Sequence, residues 1–156
     1  MTDENYMRLA IGKAQEGIAI GQSPFGSVIV KDGKVVAATH NIVWKTCDPT
    51  AHAEVTCIRE AARALGTIFL HGCELYSTTE PCPMCLSAIH WAKIMRVVYG
   101  ATIADAAAAG FCELAVDARV LAEMGKSPVR VESGLLQREC ADLFRQWKEA
   151  GMARAY

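Results

Sequence analysis

Apolar positions recur along almost the whole chain, and short runs rich in Gly, Pro and Asp interrupt them. Residues 4–20 place Tyr6, Leu9, Ala10, Lys13 and Ala14 at helical spacing, and Gly21 ends the segment. Val28-Ile29-Val30 and Val35-Val36-Ala37 flank Asp32-Gly33, the pattern of a β-hairpin. Residues 41–50 read as loop. The Ala-, Glu- and Arg-rich stretch from Ala51 to Leu65, closed by Gly66, reads as a helix. Glu74–Thr78 predicts a strand, Cys82–Ala92 a helix, Ile94–Tyr99 a buried strand and Ala104–Ala109 a helix. Val129–Val131 predicts a last strand and Leu135–Ala150 a final amphipathic helix. Strands alternating with helices predict an α/β fold with a mixed or partly parallel sheet covered by helices.

Length keeps this to one domain, because 156 residues bury roughly 70% of their unfolded surface around a single core. A hydrophobic content of 52% fits a globular chain. Sixteen Lys and Arg against seventeen Asp and Glu leave a net charge of -1, without the basic footprint of a nucleic-acid-binding protein. A local patch can still hide in a neutral total. The acidic, polar start Met1–Tyr6 is no signal peptide, and no run approaches a membrane span. Seven cysteines without an export signal then point to reduced thiols and a cytoplasmic protein.

The chemistry concentrates in His52-Ala53-Glu54 and Pro81-Cys82-Pro83-Met84-Cys85. One imidazole and two thiolates make three zinc ligands, the count that leaves a fourth position for water. Cys82 and Cys85 fall at a predicted helix start, whose free N–H groups favour anionic sulfur. His52 and Glu54 are two apart and reach one site only across a helix N-terminus. Two helix starts would then converge on one metal. H-x-E followed by P-C-x-x-C is the ligand pattern of zinc deaminases, in which the Glu moves protons. Two blander readings compete: a redox dithiol, which leaves His52 and Glu54 without a role, and a four-ligand structural zinc using His90, which would want cysteine where Met95 stands. Cys57, Cys73 and Cys140 read as small core residues, and His40 and His71 as structural or exposed.

Pro24-Phe25-Gly26, Asp48–Glu54, Thr79–Cys85 and Ala109-Gly110-Phe111 resemble the cytidine deaminase superfamily, and within it the bacterial guanine deaminases, with the tRNA adenosine deaminases close by. The resemblance runs over essentially the whole chain. It implies a three-layer α/β/α fold with a central mixed five-stranded sheet. It also implies one Zn²⁺ per subunit on His52, Cys82 and Cys85, with Glu54 as catalytic proton carrier. A small-molecule purine base is the implied substrate, guanine giving xanthine in guanine catabolism, in a homodimer. By the same resemblance Phe25 stacks on the base, Asn41 bonds a purine edge and Trp91 lines the pocket. The segment from Trp147 to Tyr156 resembles one that swaps between subunits and sets a terminal tyrosine over the partner's site. The family pattern has two acids after Gly-Phe; here Cys112 and Glu113 follow. Glu113 keeps a carboxylate for the base or for proton transfer, and the change widens the expected substrates to heterocycles such as ammeline. Alternatives remain: a tRNA adenosine deaminase, a pyrimidine or nucleoside deaminase, or an interaction module with structural zinc.

Overall fold

A computed structural model describes residues 1–156. In chain order the elements are α1 (Asp3–Ala19), β1 (Gly26–Lys31), β2 (Lys34–His40), α2 (Val43–Thr46), α3 (Ala53–Leu65), β3 (Cys73–Thr79) and α4 (Pro83–Trp91). After these come β4 (Arg96–Ala101), α5 (Ile103–Ala109), α6 (Ala118–Met124), β5 (Arg130–Glu132) and α7 (Gln137–Glu149). The five strands form one sheet in the order β2-β1-β3-β4-β5. β1 is antiparallel to both β2 and β3, whereas β3, β4 and β5 run parallel. The mixed five-stranded sheet expected from the resemblance is therefore present.

Strand alternation sorts the core into two layers. Val28, Val30, Tyr76 and Val98 face α1 and α7 with Met7, Ala10, Leu143 and Trp147. Ile29, Leu75 and Val97 face the opposite layer, with Cys57 and Ala61 of α3, Leu86 and Ile89 of α4, and Ala118 and Ala122 of α6. The buried cysteines outside the motif, Cys57, Cys73 and Cys140, are core residues, as their small size leads one to expect.

Two local rules hold the antiparallel half. Asp32 and Gly33 both have positive φ, 49° and 72°, the type I′ geometry whose twist matches the strands it joins. Gly26 lies so close to α1 that a Cβ there would sit 2.0 Å from the Ala10 carbonyl oxygen. Helix α1 begins with a capping box between Thr2 and Asn5. At the far end of the strands, Arg96 ties three elements together. Its guanidinium bonds Asp3 at 2.6 Å, Glu132 at 2.8 Å and Glu74 at 2.5 Å.

The structure adds two elements that the periodicity does not predict. Residues 43–46 form the single turn α2, and residues 118–124 form α6.

Candidate functional site

Both ligand segments come after a strand and enter a helix. α3 follows β2 and the single turn α2 and leads into β3; α4 follows β3, the central strand, and leads into β4. His52 is the N-cap of α3 and Cys82 the N-cap of α4, both with extended backbone. Neither side chain caps its own helix, so both are free to face the space between the helix ends. Pro83 occupies the first turn of α4, where its missing N–H costs nothing. Cys85, one turn in, turns its sulfur back to the same point.

The predicted ligands do meet. His52 Nδ1 lies 3.7 Å from Cys82 Sγ and 3.6 Å from Cys85 Sγ. A tetrahedral zinc with bonds of about 2.3 Å to sulfur and 2.0–2.1 Å to nitrogen sets those atoms about 3.6 Å apart. The donor set and its spacing therefore fit zinc, and all three ligand atoms lie within 4.8 Å of one another. The thiols share their proton unequally. The Cys85 hydrogen bond, against the opposing effect of burial, and then His52 hold Cys82 down at about 4, as a thiolate. Cys85 is pushed well up by its bond to Cys82 and by burial. Cation entry displaces that remaining proton. Burial alone would lower His52, but its bond to Cys82 and the charge of Glu54 outweigh it and raise it.

Glu54, in the first turn of α3, is buried beside the ligands. Its Oε1 accepts from Ser77 Oγ on β3 at 3.2 Å, and its Oε2 accepts from Cys85 Sγ at 3.5 Å. Burial, and next the Cys82 thiolate, raises its pKa. A carboxyl that protonates more readily than usual is suited to carrying a proton. Ser77 is held in register opposite Ser27 of β1, so the central strand aims it.

A cavity of about 190 Å³ opens over these groups, lined by His52, Cys82, Met84, Cys112, Glu113 and Tyr156 among others. Glu113 is half-buried, and its Oε2 has no hydrogen-bond partner. Burial, then the Cys82 and Glu54 charges, pushes its pKa up to about 7. A carboxyl with a free, buried oxygen facing a cavity is placed to meet an N–H donor.

The remaining expected site residues divide. Asn41 is fully buried; its Oδ1 accepts from Val43 N and its Nδ2 donates to the Tyr156 hydroxyl at 2.6 Å. Tyr156 lies against the site of its own chain, its ring 5.8 Å from that of His52 and 5.6 Å from that of Phe111. Phe25 does not line the cavity: its ring packs edge-on against Phe111 at 4.8 Å and Phe144 at 5.9 Å, in the core below. The close approach of Gly26 to α1 draws it there. Trp91 also stands apart. It is 75% exposed and lines a separate groove with Leu86, His90 and Leu121. It follows Cys85 by six residues, about 240° around and 9 Å along a helix, so the ligand face does not include it. His90, the alternative fourth ligand, turns to Ser127 Oγ at 2.8 Å.

One residue at the site escaped the sequence reading. Glu80, immediately before Pro81, is buried, and each carboxylate oxygen accepts from the first N–H of a different helix. Oε2 bonds Ile103 N of α5 at 3.0 Å, and Oε1 bonds Ala118 N of α6 at 2.8 Å. The loop between those helices carries Phe111, Cys112 and Glu113. A single carboxylate thus fixes both ends of the cavity's outer wall.

Residues 1–101 match the family described as the cytidine and deoxycytidylate deaminase zinc-binding region, and the chain belongs to that family. It is a hydrolytic deaminase. The chain is 51% identical over 112 residues to the guanine deaminase of Bacillus subtilis (strain 168), covering 71% of this chain and 72% of that one. It is 37% identical over 142 residues to a tRNA-specific adenosine deaminase of the same organism, covering 91% and 86%. Among solved structures, a guanine deaminase from Nitrosomonas europaea superposes with a TM-score of 0.87 at 26% identity, over 95% of this chain and 85% of that one. The metal group falls inside the matched family region; Glu113 and Tyr156 lie beyond it. No helix is long and apolar enough to cross a membrane.

Proposed function

We propose that the enzyme deaminates a free purine base, guanine to xanthine and ammonia, with one zinc ion per subunit on His52, Cys82 and Cys85. The observation that carries a small aminated ring is Glu113: a buried, unpartnered carboxyl oxygen beside the ligand group, in a cavity of about 190 Å³. The 51% identical guanine deaminase supports guanine as that ring.

Zinc held there supplies an acidified water, with a pKa brought toward roughly 7. Glu54 takes a proton from the attacking water and delivers it to the ring nitrogen beside the carbon that bears the amino group. That carbon loses its double bond to nitrogen and becomes tetrahedral. The second water proton goes to the amino group, which leaves as ammonia as the carbonyl forms. Base plus water thus balances oxo-base plus ammonia. Ser77 keeps Glu54 aimed. Glu113 accepts a hydrogen bond from the purine amino edge, and its pKa near 7 lets it share in proton transfer. Asn41 offers the purine edge the Nδ2 now bonded to Tyr156. Phe25 acts from beneath, through Phe111.

A second reading, a tRNA adenosine deaminase, is supported by coverage, since two such relatives, from Bacillus subtilis and Agrobacterium fabrum, align over 91% and 92% of the chain. An ammonia-release screen with guanine, guanosine, adenine, cytosine, ammeline and an adenosine-containing tRNA stem-loop separates them. Release from guanine, with Glu54→Gln keeping zinc and losing about 10²- to 10⁴-fold in kcat, is the expected outcome. Release from the stem-loop alone, with steeply salt-dependent binding, would replace guanine by tRNA. We also propose that the enzyme is a homodimer that exchanges its C-terminal segments. Sedimentation of the intact chain, and of a chain ended at Gly151, tests this; a monomer for the intact chain refutes it.

A further inference from the structure

Ser23 stands in the loop between α1 and β1 and is fully buried, yet its hydroxyl has no hydrogen-bond partner. A buried orphan of this kind costs stability and calls for a functional account. Two backbone bonds place it beside the site. Phe25 N donates to the Ser23 carbonyl at 2.9 Å, and Asn41 N donates to the Phe25 carbonyl at 3.0 Å. The loop is thus tied to Asn41, which is itself fully buried. The Ser23 hydroxyl comes within reach of the Tyr156 hydroxyl without closing a hydrogen bond to it. Burial raises the pKa of that phenol, and Asn41 and Ser23, both facing it as donors, oppose the rise.

The amide of Asn41 has only one orientation. Its Oδ1 accepts from Val43 N at 3.1 Å, and a backbone N–H can only donate. Nδ2 is therefore the group turned to the Tyr156 oxygen, 2.6 Å away. That oxygen marks a point which two donors, the Asn41 amide and the Ser23 hydroxyl, approach together. Both donors belong to one chain, so it is immaterial which subunit supplies the phenol. A carbonyl oxygen placed there has two lone pairs and can accept from both. An amino group would set donor against donor, and a bare C–H would leave both donors unpaired.

We propose that Ser23 acts with Asn41 to read an oxo group on the substrate ring, so that the site selects an aminated ring that also carries a carbonyl over one that carries a second amino group. The proposal rests on the free-base reading above and deepens it. Glu113 supplies the acceptor for the amino edge, and the Ser23–Asn41 pair supplies the donors for the oxo edge. A site built to hydrogen-bond a substrate group rejects the analogue that lacks it, because its own buried polar groups then go unpaired.

Hypoxanthine and purine differ by the oxo group and its ring N–H. Neither has an amino group to lose, so both bind without turnover. Calorimetric titration of the zinc-loaded enzyme gives the ratio of their Kd values. The wild type should favour hypoxanthine by about 10- to 100-fold, the worth of two hydrogen bonds. Ser23→Ala should cut that ratio about 3- to 10-fold, the worth of one. The ratio cancels any change in how readily the phenol yields its place, because that change acts on both ligands equally. The melting temperature of Ser23→Ala should equal or exceed that of the wild type, since the deleted hydroxyl bonds nothing in the ligand-free chain. A residue kept only for the fold would show the reverse, a lower melting temperature and an unchanged ratio, and that result overturns the proposal. A wild type with no preference for hypoxanthine overturns it too. If the ammonia screen shows no release from guanine, the guanine reading fails, while the Kd ratios still decide whether Ser23 and Asn41 read an oxo group.

Discussion

Replacing Glu80 with glutamine changes one carboxylate oxygen to an amide nitrogen and leaves the volume nearly unchanged. In the native chain the two oxygens accept from Ile103 N at 3.0 Å and Ala118 N at 2.8 Å, and Glu80 is 3% exposed. Glutamine has one acceptor, so its NH₂ must face one of the two helix N–H groups, donor against donor. A hydrogen bond to a charged acceptor contributes about 1.5–3 kcal/mol, and an orphaned buried donor costs about 1–3 kcal/mol. The carboxylate also loses its favourable place at two helix N-termini. The effects overlap, and together they come to about 3 kcal/mol. At about 2–4 °C per kcal/mol for a chain of this size, the melting temperature should fall about 6–12 °C. Calorimetry on zinc-loaded protein measures it. The substitution should also cut activity at temperatures where the variant is fully folded, because one end of the loop that carries Glu113 is released. A melting temperature within about 2 °C of wild type, with full activity, would refute the double-capping argument.

Two further outcomes follow from the same geometry. Gly26→Ala puts a Cβ 2.0 Å from the Ala10 carbonyl oxygen and 2.7 Å from Ala14 N, both backbone atoms that cannot step aside. It should cost at least the 1–3 kcal/mol typical of overpacking. Gly12→Ala, with nothing within 4 Å and a helical backbone, should gain about 0.5–1 kcal/mol. Urea midpoints compare the two, and equal midpoints would sink the packing argument. The second outcome concerns acid. Arg96 holds Asp3 and Glu132 below the usual carboxylate range through direct hydrogen bonds. A depressed native pKa gives stability that is present above the unfolded pKa, near 4, and lost as pH falls through the native value. Melting temperature should therefore drop below about pH 4, and Arg96→Gln should flatten that part of the curve; an unchanged slope in the variant counts against the assignment.

Local signals in the sequence carried the parts of the fold that local physics decides. Asp32-Gly33 forced its hairpin because both residues take positive φ. Gly66 ended α3 in the left-handed conformation. The helix start at Cys82 was legible from proline chemistry, α3 begins two residues after the expected Ala51, and the meeting of His52, Cys82 and Cys85 was legible from their spacing. What stayed hidden depends on distant partners. Helix α6 has a good cap in Asp117, but its seven residues carry too little periodicity to stand out from the loop. Glu80 stood in plain view beside Pro81, yet its two donors lie 23 and 38 residues away. Trp91 was assigned to the pocket by resemblance, and helix geometry carries it to another face. Phe25 was assigned to the base by the same resemblance, and its ring packs against Phe111 and Phe144 in the core.

The strand order has a kinetic consequence. Residues 1–40 form α1 and the β1-β2 hairpin from near neighbours in sequence, contacts that close quickly. β3 must then dock between that hairpin and β4, which arrives later in the chain. Until it docks, Ser77 cannot meet Glu54, and the segment bearing Cys82 and Cys85 has no fixed relation to His52. The protein can therefore collapse its amino-terminal quarter and still be chemically blank. Pulse-labelled hydrogen exchange would register this as protection of Val28–Val30 before Tyr76–Thr78; the opposite order would mean that the parallel half nucleates the fold.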